Sequence, residues 1–311
     1  MKPAVIIAGP TASGKSGCAL AVADEFDGTI INADAMQLYK ELSILTDRPG
    51  AAELARAPHR LYGLLSASDP CSAGRWRALA LAEMTAASNA GRLPVLVGGT
   101  GLYLKALMSG LAAVPPVPEE VRTETRSLYD RLGREEFQAE LTRRDPDMAI
   151  PPGDKQRMLR AFEVLAATGK PLREWQRKGA GGNREPFRYA CILLDPPRDV
   201  LYAAIERRFD RMIEEGVLEE VGRVMALRLD PSLPAMKAVG LKELMAHLRG
   251  EIGLEEAVVR AKQASRNYAK RQVTWFRHQL PGALRLPAQF SESLLEEIFS
   301  FIRQILLTPA T

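Results

Sequence analysis

Apolar residues in this chain fall first into short unbroken runs and later into helical period. Val5 to Ala8 is one such run, and Gly9 to Ser16 follows it as a glycine-rich loop. Cys18 to Ala23 then reads as a helix. Thr29-Ile30-Ile31-Asn32-Ala33 is a second run. Leu93 to Val97 is a third, ending in Gly98-Gly99-Thr100-Gly101 before a helical stretch. Tyr189 to Asp195 is a fourth. Short apolar runs bounded by turn residues are the pattern of strands buried on both faces. Strands alternating with helices predict a parallel sheet with helices on both faces. Ligands of such sheets sit beyond the carboxyl ends of the strands. The glycine loop, Asp34 and Thr100 each lie just past such an end, so three separate segments are predicted to converge on one crevice.

The texture changes at Val114-Pro115-Pro116-Val117-Pro118. From Glu119 to about Trp175 the sequence is charged and helical in period. Gly179-Ala180-Gly181-Gly182-Asn183 reads as a flexible linker before the apolar runs resume. The expected organisation is therefore a core made of 1–111 and 187–311, with 112–186 inserted as an all-helical domain. From Arg198 onward the core is mostly helical. There is no internal repeat and no low-complexity segment.

Composition narrows the class. The chain has 311 residues, 46% of them hydrophobic and 26% charged, which is ordinary globular usage with enough apolar material for a core. No stretch approaches the roughly 18 apolar residues that a membrane helix needs. The glycine loop interrupts the first apolar run too soon for a signal peptide. Cys18, Cys71 and Cys191 are far apart and form no CxxC pair. That argues against a disulfide framework or a zinc site and fits a reducing cytosol. Net charge is +4, which alone says little. Its distribution says more. From Ala257 to Ser291 there is no acid, against Arg260, Lys262, Arg266, Lys270, Arg271, Arg277 and Arg285. Such a surface is the footprint of a phosphate-rich partner, with a solvated helix face as the plain alternative.

Gly9-Pro10-Thr11-Ala12-Ser13-Gly14-Lys15-Ser16 matches G-x-x-x-x-G-K-[ST] in full, with a strand before it and a helix after it. The glycines let successive backbone N–H groups point inward at an anion. The helix N-terminus adds partial positive charge and Lys15 a full one. The Ser16 hydroxyl is suited to Mg²⁺. The expected fold is thus α/β, a P-loop NTPase-like parallel sheet plus the helical insertion. ATP is the default ligand of this motif, but any diphosphate fits the same nest of N–H groups. Asp34, after the second strand, could be a magnesium ligand, a general base or a turn-capping aspartate. Gln37 and Tyr39 add an amide and an aromatic suited to reading and stacking on a base.

These residues resemble one family, the bacterial tRNA dimethylallyltransferases. The phosphate loop reads as that family's does. Asp34-Ala35-Met36-Gln37-Leu38-Tyr39 is similar to its Asp-Ser-x-Gln-x-Tyr, and Leu45-Thr46-Asp47-Arg48-Pro49 to its Gly-Thr-x-Lys-Pro. Pro58-His59, Val97 to Tyr103, Gln156-Arg157-Met158-Leu159-Arg160-Ala161, Ala235 to Leu244 and Tyr268 to Arg277 match further segments in order. Three positions depart from the pattern: Ala35 for Ser, Leu45 for Gly and Leu241 for Tyr.

The resemblance implies transfer of a dimethylallyl group from dimethylallyl diphosphate to N6 of the adenosine beside the tRNA anticodon. It implies Asp34 as the base. It gives the diphosphate to Gly9 through Ser16, with Mg²⁺ on Ser16. Thr11, Thr100 and Arg208 take phosphate or reaction-centre roles, although Arg208 reads equally well as a surface arginine of a helix. Implied tRNA contacts are Asp34, Ala35, Met36, Gln37, Thr100, Arg122, Gln156, Arg157, Met158, Leu159, Arg160, Lys237, Gly240, Lys242, Lys270 and Arg271. Trp275 and Phe276 read as core aromatics rather than base-stacking ones. A cytoplasmic monomer is expected. The alternatives are an ATP-dependent P-loop small-molecule kinase, against which stand the basic C-terminal helix and the lack of an arginine-rich lid, and a non-catalytic RNA-binding protein, which would not require Lys15, Ser16 and Asp34 together.

Overall fold

The structure is a computed structural model, and it describes all residues except 152, 180–185, 281 and 308–311. Most of the expected linker, Ala180 to Asn183, therefore lies outside the described residues. The chain divides into two compact units. One comprises Met1–Met108 with Glu185–Thr311, the other Ser109–Arg184.

The first unit opens with β1 (Lys2–Ala8), α1 (Lys15–Glu25), β2 (Gly28–Asn32), α2 (Ala51–Arg56), β3 (His59–Arg60), α3 (Ala73–Asn89), β4 (Leu93–Gly98) and α4 (Gly101–Ser109). The second unit contributes α5 (Glu119–Arg144), α6 (Lys155–Thr168) and α7 (Leu172–Gly179). The first unit then resumes with β5 (Phe187–Leu194), α8 (Arg198–Glu214), α9 (Val217–Ala226), α10 (Leu241–Leu248), α11 (Leu254–Gln279), β6 (Leu284–Leu286) and α12 (Leu295–Leu307).

The strands form one sheet in the order β3-β2-β4-β1-β5-β6, and every pairing is parallel. The four strands expected from the apolar runs occupy its centre. The two unexpected ones, β3 and β6, are short edge strands. Alternate side chains of each strand enter opposite layers. Ile6, Ile31 and Leu96 pack with Trp76, Met84, Leu104 and Phe276 from α3, α4 and α11. Val5, Ile7, Ile30 and Val95 pack with Leu20, Val22, Ile298 and Ile302 from α1 and α12. In both layers each fully buried aliphatic side chain contributes about 1.5–3 kcal/mol. A third cluster joins Tyr39, Leu42 and Leu45 to Phe209, Val221 and Leu244 of α8, α9 and α10. It fixes the segment after β2 against the C-terminal helices.

The second unit has its own small core of Phe137, Leu141, Met158, Ala161 and Phe162. Its longest helix, α5, breaks at Gly133, whose φ of 74° a side chain would resist. Asp154 starts α6 by accepting from the Arg157 N–H at 3.1 Å. No helix among the described residues is long and apolar enough to cross a membrane.

Candidate active site

The phosphate loop turns between β1 and α1. Gly14 holds φ 87° at the start of α1, and any Cβ there would meet Phe290 Cβ at 2.8 Å. Behind the loop, the Phe290 N–H donates to Ser13 O at 3.1 Å, and Gln289 Nε2 donates to Ala12 O at 3.2 Å. Lys15 reaches back across the loop, its Nζ donating to Pro10 O at 2.6 Å. Burial pushes its ammonium down to about 8, against the upward pull of Asp34 and a further downward push from Arg208. An anion held by this loop would reverse that depression.

Asp34 is held by its neighbours at both ends. Its N–H donates to Asn32 Oδ1 at 2.7 Å, and its Oδ1 accepts from the Met36 N–H at 2.9 Å. The Asn32 side chain is buried and also donates to Asp34 O at 2.9 Å and Leu61 O at 3.0 Å. Thr100, just past β4, accepts from the Ala35 N–H at 2.9 Å through its hydroxyl. Tyr268 on α11 lines the same cavity as Thr100, its phenol raised by burial. Arg208, on α8, lies 3.7 Å from the Asp47 carboxylate with its side chain only one-fifth exposed. Burial lowers the Arg208 guanidinium, while Asp47 and Asp34 pull it back up. Arg208 lines the same cavity as the phosphate loop and Asp34.

One more side chain ties these loops together. Gln272, buried on α11, accepts from the Thr11 N–H through Oε1 and donates to Gly99 O through Nε2, each at 2.9 Å. Gly99 has no room for a side chain, because a Cβ there would lie 2.2 Å from Gln272 Nε2.

These elements enclose a cavity of about 400 Å³. Of the expected residues, Thr11, Ala12, Gly14, Lys15, Ser16, Asp34, Ala35, Met36, Gln37, Thr100, Arg208, Lys237 and Arg271 line it. Gly9, Pro10 and Ser13 shape the loop from behind. Gly240 is buried and starts α10 at φ 88°. Lys242 and Lys270 are exposed elsewhere on the same unit, Lys270 beside Arg271 and Trp275 along an open hollow on α11. Sequence reasoning missed the cavity roles of Tyr62, Asp47, Ser265 and Tyr268. It also missed Glu220, a buried carboxylate that accepts from the N–H groups of Ser43 (2.8 Å), Ile44 (2.8 Å) and Leu45 (3.0 Å). Glu220 thereby sets the turn leading to Thr46 and Asp47.

Three expectations need correction. Tyr39 is 1% exposed within the third cluster. It serves packing and cannot stack on a base. Gln37 donates from Nε2 to Thr46 O and Asp47 O at 3.0 Å each, so that end of its amide is occupied. In the helical unit, Met158 is 0% exposed, so its side chain belongs to that unit's core and not to an RNA-facing surface. Gln156 and Arg157 are exposed beside it, with Leu159 and Arg160 partly so. Arg122 pairs with Glu119 at 3.4 Å. As expected, Phe276 is core; Trp275 is half-buried, packed where a Gly101 Cβ would lie 2.4 Å from its ring.

The chain is similar over most of its length to proteins of one family. The family described as IPP transferase matches residues 37–279. The chain is 57% identical to the tRNA dimethylallyltransferase of Rhodospirillum centenum over 286 residues, 91% of each chain. It is 52% identical to that of Paramagnetospirillum magneticum over 98% of both. Among solved structures, the tRNA isopentenylpyrophosphate transferase of Bacillus halodurans superposes with TM-score 0.72 at 32% identity, covering 98% of this chain and 96% of that one. A eukaryotic dimethylallyltransferase acting on tRNA superposes with TM-score 0.81 at 25% identity, over 99% and 78% of the two chains.

Proposed function

The chain belongs to the IPP transferase family, and from that premise we propose that it is a cytosolic, monomeric tRNA dimethylallyltransferase. It moves the dimethylallyl group of dimethylallyl diphosphate to N6 of the adenosine next to the anticodon. The observation that carries this reading is a single cavity lined both by the phosphate loop and by Asp34.

The chemistry follows from what each group can do. Adenine N6 is a weak nucleophile, because its lone pair is delocalised into the ring. The new bond joins N6 to the terminal allylic carbon, and the bond that breaks joins that carbon to the diphosphate oxygen. Asp34 takes the N6 proton as the bond forms. The departing diphosphate gains charge, which the loop N–H groups, Lys15 and Arg208 are placed to stabilise. Thr100 keeps the Asp34 loop in register. The adenine must leave its stack to enter the cavity, a low cost in a single-stranded anticodon loop.

Magnesium fits the residues present. The Ser16 hydroxyl shares the cavity with only two carboxylates, Asp34 and Asp47, and no cluster of three or more His, Cys, Asp or Glu exists among the described residues. Such a set suits an ion bound mainly through substrate phosphates with one or two protein ligands. Ser16 would hold it, and it would supply charge neutralisation of the diphosphate.

The tRNA is assigned to the Asp34–Gln37 loop, Lys237, Lys242, Lys270 and Arg271 on one unit, and to Arg122, Gln156, Arg157 and Arg160 on the helical insertion. The test is to incubate the protein with unmodified tRNA, Mg²⁺ and dimethylallyl diphosphate without ATP, then digest the RNA for mass analysis. A dimethylallyl group on the adenosine 3′ of the anticodon supports the reading. Phosphate transfer from ATP, with no prenyl gain, would overturn it in favour of a P-loop kinase.

A further inference from the structure

We propose that Gln272 is a positioning residue for the prenyl transfer, its single amide setting the spacing between the diphosphate cradle and the Asp34–Thr100 loop. The inference rests on the function proposed above.

The two ends of this amide reach different machinery. Oε1 holds the Thr11 N–H, in the phosphate loop. Nε2 holds Gly99 O, in the turn after β4. Thr11 and Thr100 both line the cavity, and Thr100 carries the Ala35 N–H beside Asp34. Leaving-group side and base side are therefore joined through one buried planar group, 5% exposed. The neighbouring backbone is built around it, since a Cβ on Gly99 would lie 2.2 Å from Nε2 and 3.3 Å from Gly9 O. A group needed only to fill space in this layer would be apolar, like Phe276 one helical turn on. An amide in a buried position must satisfy both a donor and an acceptor, and here it takes one partner from each loop.

Transfer requires N6, the allylic carbon and the diphosphate in line. Displacements of about 1 Å in such alignments cost about 100-fold in rate. Gln272 is buried behind the cavity rather than in its lining, so its loss should fall on kcat more than on the KM for tRNA.

Gln272→Glu gives a readout that a packing role would not move. The carboxylate keeps an acceptor for the Thr11 N–H but sets its second oxygen against Gly99 O. Protonated, that oxygen becomes a donor and restores the bond. The kcat of Gln272→Glu relative to wild type should therefore rise as pH falls from about 8 to about 5.5 as the introduced carboxyl takes up its proton. Gln272→Leu, similar in size and without the amide, should lose about 10- to 100-fold in kcat at every pH, with KM for tRNA within about threefold.

The experiment measures prenyl transfer to unmodified tRNA across that pH range for wild type, Gln272→Glu, Gln272→Leu and Gln263→Glu, the last a control on an exposed residue of the same helix. Thermal unfolding of each variant is followed in parallel. A pH-dependent recovery in Gln272→Glu alone supports the inference. A flat ratio to wild type, or wild-type kcat in Gln272→Leu, overturns it. The wild-type lane tests the reaction itself, so failure of the proposed function shows there and failure of this inference shows only in the variants.

Discussion

The Thr100 hydroxyl accepts a hydrogen bond from the backbone N–H of Ala35 at 2.9 Å, so the turn that ends β4 holds the loop that ends β2. Asp34 is the residue between that bond and the Asn32 side chain. Its carboxylate is aimed by backbone contacts made on either side of it. Thr100→Val keeps the shape and removes the acceptor, leaving a partly buried N–H without a partner at a cost of about 1–3 kcal/mol. Turnover should fall about 10- to 100-fold, with Thr100→Ser close to wild type. Steady-state prenyl transfer on tRNA compares them, and equal kcat in Thr100→Val and Thr100→Ser would deny the hydroxyl this role.

Lys15 makes ligand binding depend on pH in a defined direction. Burial lowers its ammonium to about 8 from a usual value near 10.5. Below pH about 8 the group is already charged, so anion binding requires no proton from solvent at this site. Above it the free protein holds neutral lysine, and binding must take up a proton because the anion favours the charged form. Calorimetry of pyrophosphate binding in two buffers of different ionisation enthalpy should show uptake approaching one proton near pH 9 and much less at pH 7. Lys15→Arg, which does not titrate there, should lose that difference. Identical uptake in both proteins would mean that the proton goes to the ligand.

The fold was legible where burial is two-sided and the site where one segment carries it whole. Val5–Ala8, Thr29–Ala33, Leu93–Val97 and Tyr189–Asp195 are unbroken apolar runs because the strands they predict have helices on both faces. His59–Arg60 and Leu284–Leu286 are edge strands of two and three residues, too short to carry a pattern. The phosphate loop is one contiguous motif, so its residues could be named in advance. Gln272, Glu220 and Tyr268 act across long sequence separations, as between Gln272 and Thr11. Each looks like an ordinary helix residue until the chain is folded. Tyr39 was misread for the converse reason. It neighbours a site loop in sequence, yet its side chain turns away from the cavity into the cluster with α8, α9 and α10.

Glu220 links stability to the cavity wall. Its Oε2 accepts from two N–H groups and its Oε1 from a third. Glu220→Gln replaces one oxygen by a donor facing donors. The change should destabilise the fold by about 1–3 kcal/mol, read as a lower urea midpoint at unchanged slope. The turn it holds carries Asp47, which pairs with Arg208. The same variant should therefore raise the KM for dimethylallyl diphosphate. A stable variant with wild-type KM would show that the turn is held by packing alone.

The basic stretch on α11 is expected to meet RNA phosphates, and salt dependence distinguishes that from a solvated helix face. Lys270 and Arg271 are both exposed. Each phosphate neutralised by such a side chain releases counterions, so losing one contact lowers the slope of log Kd against log salt by about one. Lys270→Gln and Arg271→Gln should each weaken tRNA binding at low salt and flatten that slope. The effect should be nearly independent of tRNA sequence, because phosphate contacts carry no base information. Arg271 also lines the cavity, so its variant should lose turnover as well, whereas Lys270→Gln should keep kcat at saturating tRNA. Filter binding across a salt series together with kcat separates the two, and an unchanged slope in both would place this face in water.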